Sequence, residues 1–209
     1  MKIVPAILTD RKKDLKRMLA QAEIFADFVQ IDFMDGSFVP SKSIAPEDLA
    51  EIKINIDWEA HLMFKDPIHY LSALNRDGLK RVIFHWEADP RPESVASGIR
   101  DLGLHVGLAI NPETAISQFE EIVPQIDSVL FLSVHPGFYG SPFIGEVLEK
   151  IGEFRSHFPS TVIGIDGGIS LDNIQRIKSA GVDYACVGSR IFRHDDPRKS
   201  YEEFQKAIG

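Results

Sequence analysis

Gln30-Ile31-Asp32-Phe33-Met34-Asp35-Gly36 places a carboxylate in the middle of an otherwise apolar run. β-Branched and aromatic residues dominate from Val29 to Met34 and an Asp-Gly turn follows, so the run is predicted to form a β-strand. Successive side chains of a strand point to opposite faces, so Gln30, Asp32 and Met34 share one face. Because burying an unpaired carboxylate costs free energy, Asp32 is expected either to cap a turn or pair with a cation, or to serve a function.

The strand pattern recurs along the whole chain in strict alternation with helical segments. Predicted strands cover residues 2–8, 28–34, 56–63, 80–86, 104–110, 127–134, 161–165 and 182–187. Predicted helices cover residues 11–24, 46–54, 66–76, 90–102, a segment starting at 111, 142–157, 170–180 and 197–208. This alternation predicts a parallel sheet, and eight units predict a single (β/α)8 TIM barrel domain over residues 1–209. The alternative, an open doubly wound sheet, lacks the G-x-G-x-x-G motif after the first strand.

Composition narrows the classes of partner and compartment. The 209 residues carry a formal net charge of −8 without a basic run, which disfavours binding to nucleic acid and to anionic membranes. Cys186 is the only cysteine, so no intrachain disulfide forms and a reducing compartment is expected. The sequence shows neither a signal-peptide pattern nor an apolar run long enough to span a bilayer, so a soluble cytoplasmic protein is expected.

Polar side chains collect at the carboxyl ends of the predicted strands, where barrels of this kind have their active sites. The set is Thr9, Asp32, His61, His85, Glu87, Ser133, His135, Asp166 and Ser189. Taken alone, His61 is more simply explained as a hydrogen-bonded core histidine. Two carboxylates and a histidine at one rim, however, are unusual for purely structural strand ends, so a functional site is predicted there.

Glycine-containing turns follow the last two predicted strands. Gly167-Gly168 and Gly188-Ser189 each precede a helical segment, and backbone N–H groups at such positions bind phosphate. Because the net charge would repel an anion, local devices of this kind are needed to hold one. The loop 135–140 contains two glycines that allow close backbone approach to a ligand.

Asp32 and Asp166 lie on strands two and seven, so they are expected to face a bound molecule from opposite sides. Carboxylates so placed suit proton removal on one face and proton delivery on the other, which is what inversion beside a carbonyl requires. An unassisted carboxylate is a weak base for such a proton, so electrostatic help is needed. A divalent ion held by Asp32, His61 and Asp166 would supply it as a Lewis acid. The strand ends carry no lysine, which argues against a Schiff-base aldolase.

Several ordered motifs extend over essentially the whole chain. They are Pro5-Ala6-Ile7-Leu8-Thr9, Asp32-Phe33-Met34-Asp35-Gly36-Ser37-Phe38-Val39-Pro40, His61-Leu62-Met63, Asn111-Pro112, Ser133-Val134-His135-Pro136-Gly137-Phe138, Asp166-Gly167-Gly168-Ile169 and Gly188-Ser189. With them the chain resembles the ribulose-phosphate 3-epimerase family. The resemblance implies a TIM barrel of the ribulose-phosphate-binding type that interconverts D-ribulose 5-phosphate and D-xylulose 5-phosphate by inverting C3.

The resemblance also implies roles for individual residues. Asp32 and Asp166 would be the acid/base pair and metal ligands, with His61 as a further ligand of a Zn, Mn, Fe or Mg ion. The implied substrate-binding residues are Thr9, Met34, His61, Met63, Ser133, Gly137 and Gly140. The implied phosphate-binding residues are Gly167, Gly168, Gly188 and Ser189. Met34 and Met63 would form apolar caps, and Thr9 stands where the family has a serine.

The chain departs from the family at three further places. Gln30 replaces a metal-binding histidine, and an amide oxygen is a weaker ligand than imidazole for zinc-like ions. His135 replaces an asparagine, and Tyr139-Gly140-Ser141 replaces Gly-Gly-Gln. Two alternatives therefore stay open: an epimerase of a related ketose phosphate such as a 6-phosphohexulose, and a metal-free phosphosugar-binding protein without turnover. The sequence also leaves open whether the chain forms a homo-oligomer.

Overall fold

A computed structural model describes residues 1–137 and 141–209, and its core is a closed barrel of eight parallel strands. The strands are β1 (Lys2–Ile7), β2 (Phe28–Met34), β3 (Asp57–Met63), β4 (Leu79–His85), β5 (His105–Ile110), β6 (Ser128–Leu132), β7 (Val162–Asp166) and β8 (Tyr184–Val187). Each strand pairs with its neighbour in sequence, and β8 closes on β1. The predicted (β/α)8 fold is confirmed.

Helices of unequal length connect the strands. The α-helices are α1 (Lys12–Ala22), α2 (Leu71–Leu74), α3 (Pro92–Asp101), α4 (Ile116–Phe119), α5 (Val147–His157), α6 (Ile174–Ser179), α7 (Ser189–Phe192) and α8 (Pro197–Ile208). Short 3-10 helices cover Pro46–Glu51, Pro67–Tyr70, Trp86–Ala88 and Glu120–Gln125. Apolar side chains on the outer faces of the strands pack against this helical layer and form the main core.

Several predicted α-helices are wrong in type or extent. The predicted helix 46–54 is the 3-10 helix Pro46–Glu51, whose backbone N–H groups donate three residues back, from Asp48 to Ala45 and from Ile52 to Leu49. The predicted helix 66–76 divides into a 3-10 turn and the one-turn α2. Predicted helix 142–157 begins only at Val147, since the Ile144 N–H donates to the Ser133 carbonyl and holds the preceding segment against β6.

The strand register places the predicted site side chains on the inside of the barrel. Asp32 pairs with His61 between β2 and β3, and Asp166 pairs with Cys186 between β7 and β8. Lower in the barrel the ring of Tyr184 fills the space beside Gly164, where a Cβ atom would overlap the ring. Glycine is required there because no other residue leaves room for the tyrosine.

Among the helices of the described residues, none combines the length and the apolarity that crossing a bilayer requires.

Candidate active site

A cavity of about 660 Å³ opens at the carboxyl ends of the strands. The structure brings most of the predicted site residues to its wall: Asp32, Met34, His61, Met63, Gly137, Asp166, Gly167, Gly168, Gly188 and Ser189. Its position is the one that (β/α)8 barrels use for chemistry, and its size suits a small ligand.

Two carboxylates and one imidazole meet at the floor of this cavity. The Nδ1 atom of His61 lies 2.9 Å from Asp32 Oδ1 and 3.7 Å from Asp166 Oδ2. His61 and Asp32 are buried, whereas the Asp166 side chain keeps 15% of its surface exposed to the cavity. The parallel register of β2 and β3 produces the first contact, and closure of the barrel brings β7 opposite.

Gln30 joins the two carboxylates from below. Its Nε2 group donates to Asp32 Oδ1 at 2.8 Å and to Asp166 Oδ2 at 2.7 Å. The Cys186 thiol donates to Gln30 Oε1 at 3.1 Å, which orients the amide with its nitrogen toward the carboxylates. An amide nitrogen that donates two hydrogen bonds is not a metal ligand, so this arrangement gives Gln30 the place of a hydrogen-bonding bridge.

The cluster perturbs the protonation of its members. Burial and the nearby negative charge of Asp32 raise the pKa of Asp166 to about 7. Burial of His61 opposes its charged form, but the hydrogen bond to Asp32 and the charges of both aspartates outweigh burial and raise the pKa of His61. A carboxyl group that titrates near neutral pH is well matched to proton transfer.

The same cluster fits a divalent ion. Asp32, His61 and Asp166 each offer one ligand atom, and the three atoms all lie within 4.8 Å of one another. Carboxylate oxygen and imidazole nitrogen are ligands of zinc, manganese and iron, and carboxylate oxygen also suits magnesium. The donor set therefore suits a divalent cation without selecting one.

An apolar roof lies beside the carboxylates. Met34, Val39 and Met63 form a buried cluster, against which Leu8 and Phe38 pack. The loop that carries Val39 is tied to the end of β2 by Ser43, whose hydroxyl accepts from Met34 N–H at 2.9 Å. This hydrogen bond could not be inferred from the sequence, because the two residues are separated by an irregular loop.

The glycine turns line the opposite wall of the cavity. Gly167 and Gly168 have φ angles of 108° and 64°, which favour glycine, and Gly168 approaches the backbone of Phe143 so closely that a Cβ would sit 3.1 Å from it. Sequence reasoning missed three further residues on this wall, namely Arg190, Arg193 and His194. The two arginines close to Gly188-Ser189 in the sequence were the signal that could have revealed this part of the wall.

Two predicted substrate-binding residues are placed differently from the rest. Thr9 lines an adjoining cavity of about 490 Å³, and its hydroxyl accepts the Arg11 N–H at 3.2 Å. Ser133 is fully buried, and its hydroxyl donates to the backbone carbonyl of Gly167 at 2.6 Å. This contact positions the turn after β7 from below. The prediction for Gly140 lies outside the described residues.

Fold and site together define a class of protein: a (β/α)8 barrel with a carboxylate–imidazole centre beside glycine-containing turns. Comparison with known proteins narrows the class further. The sequence profile described as "Ribulose-phosphate 3 epimerase family" matches residues 2–192. The chain therefore belongs to the ribulose-phosphate 3-epimerase family, and the predicted family and epimerase class are confirmed.

Individual relatives agree with this assignment. A protein of Mycobacterium leprae named ribulose-phosphate 3-epimerase is 33% identical over an alignment of 215 positions, which covers 99% of this chain and 95% of the relative. A protein of the same name from Mycobacterium bovis is 34% identical, with coverage of 99% and 93%. The structure of 3-hexulose-6-phosphate synthase from Salmonella typhimurium has a TM-score of 0.73 at 16% identity and covers 100% of this chain and 98% of that one. This last likeness concerns the fold alone.

Proposed function

We propose that the protein interconverts D-ribulose 5-phosphate and D-xylulose 5-phosphate by inverting the configuration at C3. The observation that carries the proposal is the pair Asp32 and Asp166, which stand on β2 and β7 at the floor of one cavity. Membership of the ribulose-phosphate 3-epimerase family supports the choice of substrate. Binding alone would not need two carboxylates at this point, so a binding protein without turnover is disfavoured.

The two aspartates exchange roles with the direction of the reaction. One carboxylate removes the C3 proton from one face, and the other, in its protonated form, delivers a proton to the opposite face of the resulting enediolate. A divalent ion bound by Asp32, His61 and Asp166 would act as a Lewis acid that stabilises the developing negative charge. Gln30 holds both carboxylates through one amide group, which fixes the distance between the two proton carriers.

The remaining wall residues orient the substrate and exclude water. Met34 and Met63 cover the reacting carbon with apolar surface, which strengthens electrostatic interactions beneath them. The phosphate group is held at the opposite wall by backbone N–H groups around Gly168 and Ser189, next to the side chains of Arg190 and Arg193. The buried hydroxyl of Ser133 acts on the substrate through the turn that it positions. A cytoplasmic location and a homo-oligomeric state stay predictions.

The experiment is a comparison of three sugars with the purified, metal-supplemented protein. D-Ribulose 5-phosphate is expected to give D-xylulose 5-phosphate, detected by 13C NMR. Unphosphorylated D-ribulose is the matched control for the phosphate, and its kcat/KM should be at least about 100-fold lower, since an ionic contact contributes roughly 3 kcal/mol. A higher kcat/KM for a 6-phosphohexulose, or binding of all sugars without turnover, would contradict the proposal.

A further inference from the structure

A second histidine lies directly behind His61 and has no part in the reaction described above. His85, at the end of β4, is completely buried and does not line the cavity. Its ring stacks on that of His61 with the ring centroids 5.1 Å apart, and the two Nε2 atoms are separated by 3.0 Å. At this distance the two nitrogens share one hydrogen bond, so one of them carries a hydrogen and the other offers a lone pair.

The surroundings of His85 Nδ1 decide which nitrogen donates. Glu87 Oε2 lies 3.5 Å from Nδ1, which has no hydrogen bond of normal geometry among the described residues. The side chain of Asn111 also reaches His85, and its buried Oδ1 has no hydrogen bond within the normal distance among the described residues. Because Nδ1 faces acceptors, a lone pair there would be repelled, and Nδ1 must carry the hydrogen of the neutral ring.

Glu87 is fixed in its role as an acceptor. Its Oε1 atom accepts the Asn111 N–H at 3.0 Å and the hydroxyl of Thr114, which leaves Oε2 to face His85. Burial disfavours the charged form of Glu87, but its hydrogen bonds outweigh burial and lower the pKa of this carboxyl. Glu87 therefore accepts at both oxygens.

We infer that His85, with Glu87 and Asn111 behind it, is a positioning residue that sets the tautomer of His61. The order of donors runs from His61 Nε2–H to His85 Nε2 and from His85 Nδ1–H to Glu87. Nε2 of His61 then keeps its hydrogen, and Nδ1, which donates to Asp32 Oδ1 at 2.9 Å, is the nitrogen that can exchange its hydrogen for an ion. The inference rests on the proposed divalent-ion site, because its consequence is that Nδ1 is held ready to ligate the ion.

The isosteric variant Glu87→Gln should reverse the direction of the hydrogen bonds between His61, His85 and residue 87 without removing a heavy atom. In Glu87→Gln the amide oxygen is claimed by the Asn111 N–H and the Thr114 hydroxyl, so the NH2 group turns toward His85 Nδ1. His85 would then carry its hydrogen on Nε2 and donate to His61. His61 would in turn keep its hydrogen on Nδ1, where the ion has to bind.

Two measurements test the inference, and neither needs substrate. Long-range 1H–15N spectra of labelled protein should show the hydrogen of wild-type His85 on Nδ1 and that of Glu87→Gln on Nε2. Calorimetric titration with zinc should give an affinity about 10- to 100-fold weaker for the variant than for wild type. His105→Gln is the matched control, since His105 begins β5 at the opposite end of the barrel and is exposed.

The outcomes separate this inference from the proposed function. A wild-type His85 hydrogen on Nε2, or equal zinc affinities in wild type and Glu87→Gln, would overturn the inference even if the protein is an epimerase. The expected tautomers and affinities would support it even if D-ribulose 5-phosphate is not the substrate. The wild-type spectrum alone keeps the inference falsifiable if Glu87→Gln does not fold.

Discussion

Among the described residues, the barrel interior holds two buried groups of charges, and they are built differently. In the lower group, one carboxylate faces one guanidinium: Arg81 Nε donates to Glu59 Oε2 at 2.7 Å, and the guanidinium lies 4.5 Å from the centre of the Tyr184 ring. In the upper group, Asp32 and Asp166 share one imidazole and one neutral amide. The lower group is closed and balanced, whereas the upper group is open to the cavity and has negative charge in excess.

The difference shows how a buried charge that holds the fold differs from one that does chemistry. Glu59 is completely buried and does not line the cavity. Its ion pair with Arg81 offsets part of the cost of burial, which nevertheless raises the pKa of Glu59. The upper carboxylates lack a full complement of positive charge, and a proton or a divalent ion can supply it.

The largest expected effect follows from changing the upper group. Asp32→Asn and Asp166→Asn each remove a proton carrier and a proposed metal ligand while preserving shape. We expect kcat to fall by about 10⁴-fold or more, roughly 5 kcal/mol in activation free energy, with the circular dichroism spectrum unchanged. A variant that keeps more than about a tenth of wild-type kcat would show that its aspartate is not a proton carrier.

Substitutions in the lower group should change the free energy of unfolding of the protein. Arg81→Met leaves the Glu59 carboxyl buried without its partner, and we expect a loss of about 3–5 kcal/mol in the free energy of unfolding. The double variant Arg81→Met/Glu59→Met should regain most of this loss because no buried charge is left over. Denaturant unfolding of both proteins measures the difference. A double variant no more stable than the single one would argue against the ion pair as the cause.

The upper group should give stability a pH dependence in metal-free protein. The folded-state pKa of Asp166, about 7, lies above its ordinary value of 3.8. Between these pH values the folded protein binds a proton that the unfolded chain does not, so stability falls as pH rises from about 4 to about 7. This loss of stability, about 4 kcal/mol for a pKa shift of about three units, is fully present above pH 7. Unfolding in EDTA should show this slope in wild type, and Asp166→Asn should lose it.

The smallest expected effect is that of Gln30→His on zinc binding. Position 30 is also where the chain departs most from the family. Gln30→His replaces the amide bridge with an imidazole on the same inward face of β2, next to both carboxylates. We expect zinc to bind about 10- to 100-fold more tightly to this variant than to wild type, because the variant adds an imidazole ligand where the amide only donates hydrogen bonds. Equal affinities would mean that position 30 does not reach the ion.

The sequence was sufficient to predict the barrel, since eight strand–helix units leave few other folds. It also located Asp32, His61 and Asp166, because polar side chains interrupt apolar strands at the same end. It could not predict that the Ser133 hydroxyl donates to the backbone carbonyl of Gly167. Nor could it reveal the hydrogen bond from Cys186 on β8 to Gln30 on β2. Such contacts depend on closure of the barrel, which brings together residues 156 positions apart.

The central claim, that Asp32 and Asp166 act on opposite faces of one carbon, is tested most directly by proton exchange at C3. Asp32→Asn and Asp166→Asn are each incubated in D2O with both pentulose 5-phosphates, and deuterium at C3 is followed by NMR. Each variant keeps one carboxylate, so we expect each to exchange the C3 proton of only one epimer, and the two variants to act on opposite epimers. Exchange of both epimers by either variant would contradict the account.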